Sequence, residues 1–92
     1  MVTINTWIVA RRKGGTLAST ARRMAEMGVS YRELERRMRQ MYVLEVVVRE
    51  RSQHRAAEKL GIARSTVHRI LKALGVKDQD IQVAADALGV SQ

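Results

Sequence analysis

The sequence predicts an all-α fold on three observations. The 92 residues include no proline, a residue that interrupts helices. No glycine occurs between Ser30 and Gly61, so one long helix can run from Ser30 to about Arg51. The remaining apolar stretches repeat at helical spacing and stop at glycines, which often end helices. A chain of this length forms a single domain with a small core, which self-association would help to stabilise.

The first predicted helix covers residues 16–27 and ends at Gly28. Its apolar residues share one stripe, namely Leu17, Ala21, Met24 and Ala25. The second, long helix starts at Ser30, because Ser30 and Glu33 have the spacing of a capping box. Ser52 is placed to cap a third helix directly after the long one.

The middle of the long helix predicts a homodimer. Residues 42–48, YVLEVVV, are apolar on nearly every side, and a helix of that kind is covered all round. One short preceding helix and a small C-terminal motif supply too little cover, so we expect the same helix of a second chain to pack here. The predicted interface residues are Leu34, Met38, Met41, Tyr42, Leu44, Val46, Val47 and Val48. A short buried β-strand is the alternative for this run, because valine is β-branched.

Residues 53–76 predict two short helices joined by a tight turn at Gly61. The first, at about 53–60, buries Ala56, Ala57 and Leu60. The second, at about 64–74, turns its apolar side chains inward, namely Val67, Ile70, Leu71 and Leu74. Its opposite side carries polar and basic side chains, namely Arg64, Ser65, His68, Arg69 and Lys72. Such a pair of helices, with hydrogen-bond donors at helical spacing on the second, fits the DNA major groove as a helix-turn-helix.

The charge distribution favours a polyanionic partner. The formal net charge is +8, with the excess in residues 1–29 and 53–76, while residues 77–92 are acidic. A basic surplus of this kind favours nucleic acid or anionic lipid. A basic face that is merely solvated is the alternative.

Residues 30–76 resemble the Fis-type DNA-binding fold, which also closes bacterial enhancer-binding activators of the nitrogen-control type. The resemblance is carried by the ordered combination of EL, a long helix, AA..LGI.R.T and L...G. It implies a dimeric four-helix core, made by two long helices from each protomer, with paired C-terminal helices in successive major grooves. It further implies a homodimer that bends double-stranded DNA, as a transcriptional regulator or nucleoid-associated protein in the bacterial cytoplasm.

Carried over by position, the resemblance assigns Arg64 to base contact and Thr66 to the DNA backbone. The full set of predicted DNA-binding residues is Ser52, Gln53, His54, Arg64, Ser65, Thr66, His68, Arg69 and Lys72. Ala63 stands where the family commonly has an asparagine, which removes a helix cap worth about 1 kcal/mol and a polar DNA contact. An arginine at the start of a recognition helix can bind O6 and N7 of guanine together. The implied DNA consensus is degenerate, with an A·T-rich centre.

Other function classes find little support in the sequence. Cysteine is absent, and His54 and His68 lie fourteen positions apart with no carboxylate pair beside them, so we expect neither a metal site nor a cofactor. The glutamates have no partner base, nucleophile or glycine-rich phosphate loop, so we do not expect an enzyme. The apolar stretch among the first residues is too short to span a membrane. Two alternatives stay open: a helical protein-interaction module with an incidental basic face, and non-specific RNA binding, which three aromatic residues without phenylalanine disfavour.

The sequence divides into four parts. Residues 1–15 form an N-terminal arm, 16–52 the dimerisation helices, 53–76 the helix-turn-helix, and 77–92 a C-terminal tail. The arm has β character, suited to pairing with its two-fold mate or to a protein partner, and a disordered terminus is the alternative. The tail places Ile81, Ala84, Ala85 and Leu88 on one helical face. Its AADALGV echoes AAEKLGI, so a fragment of another helix-turn-helix is a further reading of this segment.

Overall fold

The computed structural model describes residues 17–90, and these residues fold as α-helices with no strand among them, as predicted. The helices are α1 (Leu17–Glu26), α2 (Tyr31–Glu50), α3 (Gln53–Leu60), α4 (Arg64–Leu74) and α5 (Asp78–Ala87). The predicted β arm, residues 1–15, lies outside the described residues. The first four helices fall within a residue or two of the ranges that the sequence predicts, and the tail, residues 77–92, contains the fifth.

The start of α2 shows how local signals fix a helix boundary. Ser30 has extended backbone angles, and its Oγ accepts a hydrogen bond from the backbone N–H of Glu33 at 3.2 Å. Instead of closing the predicted capping box, the Glu33 carboxylate accepts hydrogen bonds from the guanidinium groups of Arg36 and Arg37. These bonds, from Arg36 first and then from Arg37, hold the pKa of the Glu33 carboxyl below its ordinary value.

The core forms where α3, α4 and α5 pack against the second half of α2, and α3 also packs against α4. Its buried residues are Val43, Leu44, Val47, Val48, Ala56, Ala57, Val67, Leu71, Leu74, Val76, Ile81, Ala84 and Ala85. Alanines supply much of the contact surface of α3 and α5, so their backbones can lie close to α2. Leu60, which the sequence places in this core, is only half-buried at its edge.

The expectation that a second chain must cover residues 42–48 is wrong for part of that run. Leu44, Val47 and Val48 are at most 1% exposed within one chain. The reason is α5, which joins α3 and α4 in covering this face of α2. These three residues therefore belong to the core of the single chain and not to the predicted dimer interface. The alternative of a buried β-strand is also wrong, since α2 is helical throughout.

The tail forms a helix that is attached to the rest of the domain at both ends. Ile81, Ala84 and Ala85 are buried against the core, as their spacing predicts. At its C-terminal end, the Arg51 guanidinium donates a hydrogen bond to the Val90 carbonyl oxygen at 2.6 Å and forms an ion pair with Asp86 at 2.8 Å. At its N-terminal end, the Gln53 amide nitrogen donates to Asp78 Oδ1 at 2.7 Å.

The first helix is packed far less closely than the others. From Ala18 to Glu26 every side chain of α1 is exposed except that of Met24, which is half-buried. The neighbouring part of the chain also exposes large apolar side chains, namely Met27, Tyr31, Met38 and Tyr42. The described chain therefore has a packed C-terminal part and a thinly covered N-terminal part.

Candidate nucleic-acid interface

The corner between α3 and α4 has the geometry of a helix-turn-helix. Gly61 lies in the left-handed region, with φ of 69°, where a residue without a β-carbon is favoured. The backbone N–H of Ile62 donates to the carbonyl oxygen of Ala57 at 3.1 Å, which closes the end of α3. Ala63 then returns to extended backbone angles, and α4 begins at Arg64. Three residues, 61–63, thus form the turn between two short helices.

The inner side of α4 fixes this helix against the core. Val67 and Leu71 are almost fully buried, Leu74 is buried, and Ile70 is half-buried. Gly75, again left-handed, ends the helix, and the N–H of Val76 donates to the Leu71 carbonyl oxygen at 3.0 Å.

The outer side of α4 presents the predicted recognition surface. Its exposed side chains are Arg64, Ser65, His68, Arg69 and Lys72. Thr66 lies at the edge of this surface and is half-buried. The structure therefore brings the six predicted residues of α4 onto or beside one face, with no acidic residue in the helix itself.

The beginning of α4 has no side-chain cap. Ala63 occupies the capping position and makes no side-chain hydrogen bond there, as the sequence predicts. Its carbonyl oxygen still accepts from the N–H groups of Thr66 and Val67. The first N–H groups of a helix have no partner within the helix. The start of α4, with Arg64 beside it, is thus suited to a phosphate oxygen.

The beginning of α3 contributes the other predicted contacts, and each already has a partner. Ser52 Oγ accepts from the backbone N–H of Arg55 at 3.2 Å, so its own hydroxyl hydrogen is left as a donor. The Gln53 amide is bound to Asp78, and His54 Nε2 lies 3.0 Å from Glu58 Oε1. The Ser52 cap agrees with the sequence prediction, whereas the contact between Gln53 and Asp78, 25 positions apart, could not be read from the sequence alone.

Two grooves border α4, and most of the predicted DNA-binding residues line one or both of them. The first, of about 300 Å³, lies between the beginnings of α3, α4 and α5 and is lined by Ser52, Gln53, His54, Arg64 and Asp78 among others. The second, of about 440 Å³, is lined by Gln53, His68, Lys72, Lys77 and Asp78 among others. Asp78 lines both grooves. The set of DNA-binding residues predicted from the sequence lacks Asp78, because Asp78 belongs to the acidic segment 77–92 and not to the predicted helix-turn-helix.

Neither a metal site nor a membrane span has geometric support in residues 17–90. Within that range, no three histidine, aspartate or glutamate side chains come together as a metal site would require. None of the helices described there is both long enough and apolar enough to cross a lipid bilayer.

A comparison with protein families gives an independent assignment of this segment. Residues 38–75 match the family described as bacterial regulatory helix-turn-helix protein, lysR family. The matched range includes the second half of α2, all of α3 and α4, and the turn between them. Searches of curated proteins and of solved structures returned no match. Because the matched family is not the Fis type, that finer resemblance stays a prediction. The chain carries a helix-turn-helix DNA-binding segment.

Proposed function

We propose that the protein is a homodimeric transcriptional regulator or nucleoid-associated protein that places α4 in the major groove of double-stranded DNA. The observation that carries the proposal is the outer face of α4, where five exposed polar or basic side chains lie opposite an apolar face that is buried except for the half-buried Ile70. A recognition helix needs both properties, because it must reach the bases while its orientation stays fixed.

The residues of this face divide into two roles. Arg64, at the first position of α4, is placed to donate two hydrogen bonds to O6 and N7 of a guanine, worth about 1–3 kcal/mol of discrimination. Arg69 and Lys72, further along the helix, supply positive charge to phosphates. Ser52 and Thr66 supply hydroxyl groups for the DNA backbone. Affinity thus comes mainly from phosphates, and selectivity mainly from Arg64.

The proposed dimer uses a stripe on α2 that lies opposite the core. Tyr31, Met38 and Tyr42 recur at helical spacing on one face, and they are 76%, 44% and 64% exposed. Exposed apolar side chains that share one face of a helix favour an interaction site there. The same helix of a second chain fits it, because a self-complementary apolar stripe is the usual basis of a two-fold contact. The predicted interface residues that we retain are Leu34, Met38, Met41, Tyr42 and Val46, of which Met41 and Val46 are half-buried and also pack against the edge of the core.

DNA bending is what the Fis-type resemblance adds to the proposed dimer. Two copies of α4 joined through α2 have a fixed separation, and a separation shorter than one turn of straight DNA, about 34 Å, forces the duplex to curve. Bending is least costly where the centre of the site is deformable. The Fis-type resemblance supports this arrangement, and it implies binding that tolerates many sequences.

A titration of fluorescent duplexes at several salt concentrations tests the proposed function. If six or more phosphates are contacted, affinity should fall by about 10³-fold or more between 50 and 200 mM salt. A salt response close to flat would contradict DNA binding and favour the protein-interaction module. Competition with single-stranded RNA of equal length tests the remaining alternative, non-specific RNA binding. An RNA-binding protein would be displaced from the fluorescent duplex more readily by RNA than by unlabelled duplex DNA.

A further inference from the structure

Asp78 places a negative charge inside the basic surface around α4. Of the residues that line the two described grooves, Asp78 alone is acidic, and it lines both. Its neighbours in the first groove include Arg64, and those in the second include His68 and Lys72. The carboxylate therefore lies among the groups that, under the proposed function, approach DNA.

The structure holds this carboxylate in place by two independent means. Asp78 is the first residue of α5, and α5 is fixed by its buried face and by the Arg51 contacts at its far end. The carboxylate itself accepts a hydrogen bond from the Gln53 amide nitrogen at 2.7 Å. The other acidic group of this helical turn is already occupied, because Asp80 accepts from the backbone N–H of Lys77 at 2.9 Å.

The pairing with Asp78 also determines what Gln53 can offer to DNA. A carboxylate only accepts hydrogen bonds, so the amide nitrogen of Gln53, and not its oxygen, must face Asp78. One of the two amide hydrogens is thereby withdrawn from DNA. Gln53 is a weaker candidate for a phosphate contact than its position at the start of α3 indicates.

We propose that Asp78 weakens binding to every duplex by repelling phosphates, so that binding depends more strongly on the contacts made by Arg64 and its neighbours. This inference rests on the proposed function of α4. Like charges within a Debye length, about 10 Å at 0.1 M salt, repel one another, and interfaces use such repulsion against unwanted partners. Because the repulsion is directed at the backbone, it has no base preference of its own.

The test is Asp78→Asn in the full chain. The asparagine oxygen can still accept from Gln53, so the variant removes the charge and keeps the hydrogen bond. At about 50 mM salt, we expect affinity to rise by about threefold to tenfold for random and selected duplexes alike. At about 0.5 M salt the gain should shrink, since screening shortens the range of the repulsion. Asp78→Ser provides a second neutral variant and should show the same direction if the asparagine chain folds poorly.

Glu26→Gln is the matched control, because it makes the same change in net charge at an exposed position of α1 outside both grooves. An equal gain in this control would assign the effect to net charge and overturn the proposal. Weaker binding of the Asp78 variants to a selected duplex would also overturn it, since Asp78 would then be contacting a base. If the wild type binds duplexes in a salt-dependent way and the Asp78 variants show no gain in affinity, the inference about Asp78 is contradicted and the proposed function is not. Absence of duplex binding in every variant contradicts the proposed function as well.

Discussion

The two halves of α2 differ in what covers them. In the second half, Leu44, Val47 and Val48 are enclosed by α3, α4 and α5 of the same chain. In the first half, Tyr31 and Met38 are exposed, and the preceding helix α1 is exposed along nearly its whole length. Both halves carry apolar residues at helical spacing, yet only one is buried by the fold. We infer that the core-facing side of the second half stabilises the domain, while the first half and the exposed Tyr42 that continues its stripe are left for association.

The largest expected effect comes from a substitution in the buried half of α2. Leu44→Ala should lower the free energy of unfolding by about 2–5 kcal/mol, because it leaves a cavity among α3, α4 and α5. For a small domain this is a large part of the total stability. Urea denaturation followed by circular dichroism measures the change.

Met38→Ala is the comparison from the other half of the helix. Measured at a protein concentration low enough to keep the chain monomeric, it should change the free energy of unfolding by less than about 0.5 kcal/mol, because Met38 is exposed in the single chain. Similar losses for Leu44→Ala and Met38→Ala would show that the two halves do not differ in this way.

The next effect tests association through the exposed half. Met38→Glu should weaken dimerisation by about 100-fold or more, roughly 3 kcal/mol, because the two-fold axis brings each introduced carboxylate close to its mate in an apolar contact. Sedimentation equilibrium over a range of concentrations measures the change. Val83→Glu is the control, since Val83 is an exposed apolar residue on α5. A monomeric wild type at micromolar concentration, with or without DNA, would contradict the proposed dimer.

The helices and their ends could be predicted because their signals are local. Ser30 and Ser52 cap the helices that follow them, and Gly61 ends α3, as the sequence indicates. What covers Leu44 could not be predicted in the same way. That cover depends on the packing of α5 against α2. The two segments are distant in sequence, and no pattern in either one identifies the other as its packing partner.

The candidate site was predictable to a similar extent. The spacing of apolar residues in α4 determines which side chains remain outside, so Arg64 and Lys72 could be assigned to one face in advance. The hydrogen bond between Gln53 and Asp78 joins residues 25 positions apart. It arises only once both helices are placed on the core, which is why the acidic component of the surface was overlooked.

A smaller effect separates two roles within the recognition face. Arg64→Ala should remove about 1–3 kcal/mol of discrimination between a selected duplex and a single-base variant of it. Lys72→Ala should weaken all duplexes alike and reduce the slope of log affinity against log salt by about 1 per protomer. Fluorescence anisotropy with matched and altered duplexes measures both quantities. Identical effects of the two substitutions on every sequence would refute this division of roles.

The smallest expected effect concerns Glu33, in the exposed half of α2. Hydrogen bonds from Arg36 and Arg37 hold the pKa of the Glu33 carboxyl below its ordinary value of 4.5, so the carboxylate stabilises the folded chain at neutral pH. This contribution is present above the unfolded-state pKa and is lost as pH falls through the lower folded-state pKa. Glu33→Gln should therefore lower Tm slightly at pH 7 and leave it unchanged near pH 2. Glu35→Gln, at an exposed position on the same helix, serves as the control. A difference in Tm between Glu33→Gln and wild type that persisted in acid would show that Glu33 acts through packing or capping and not through its charge.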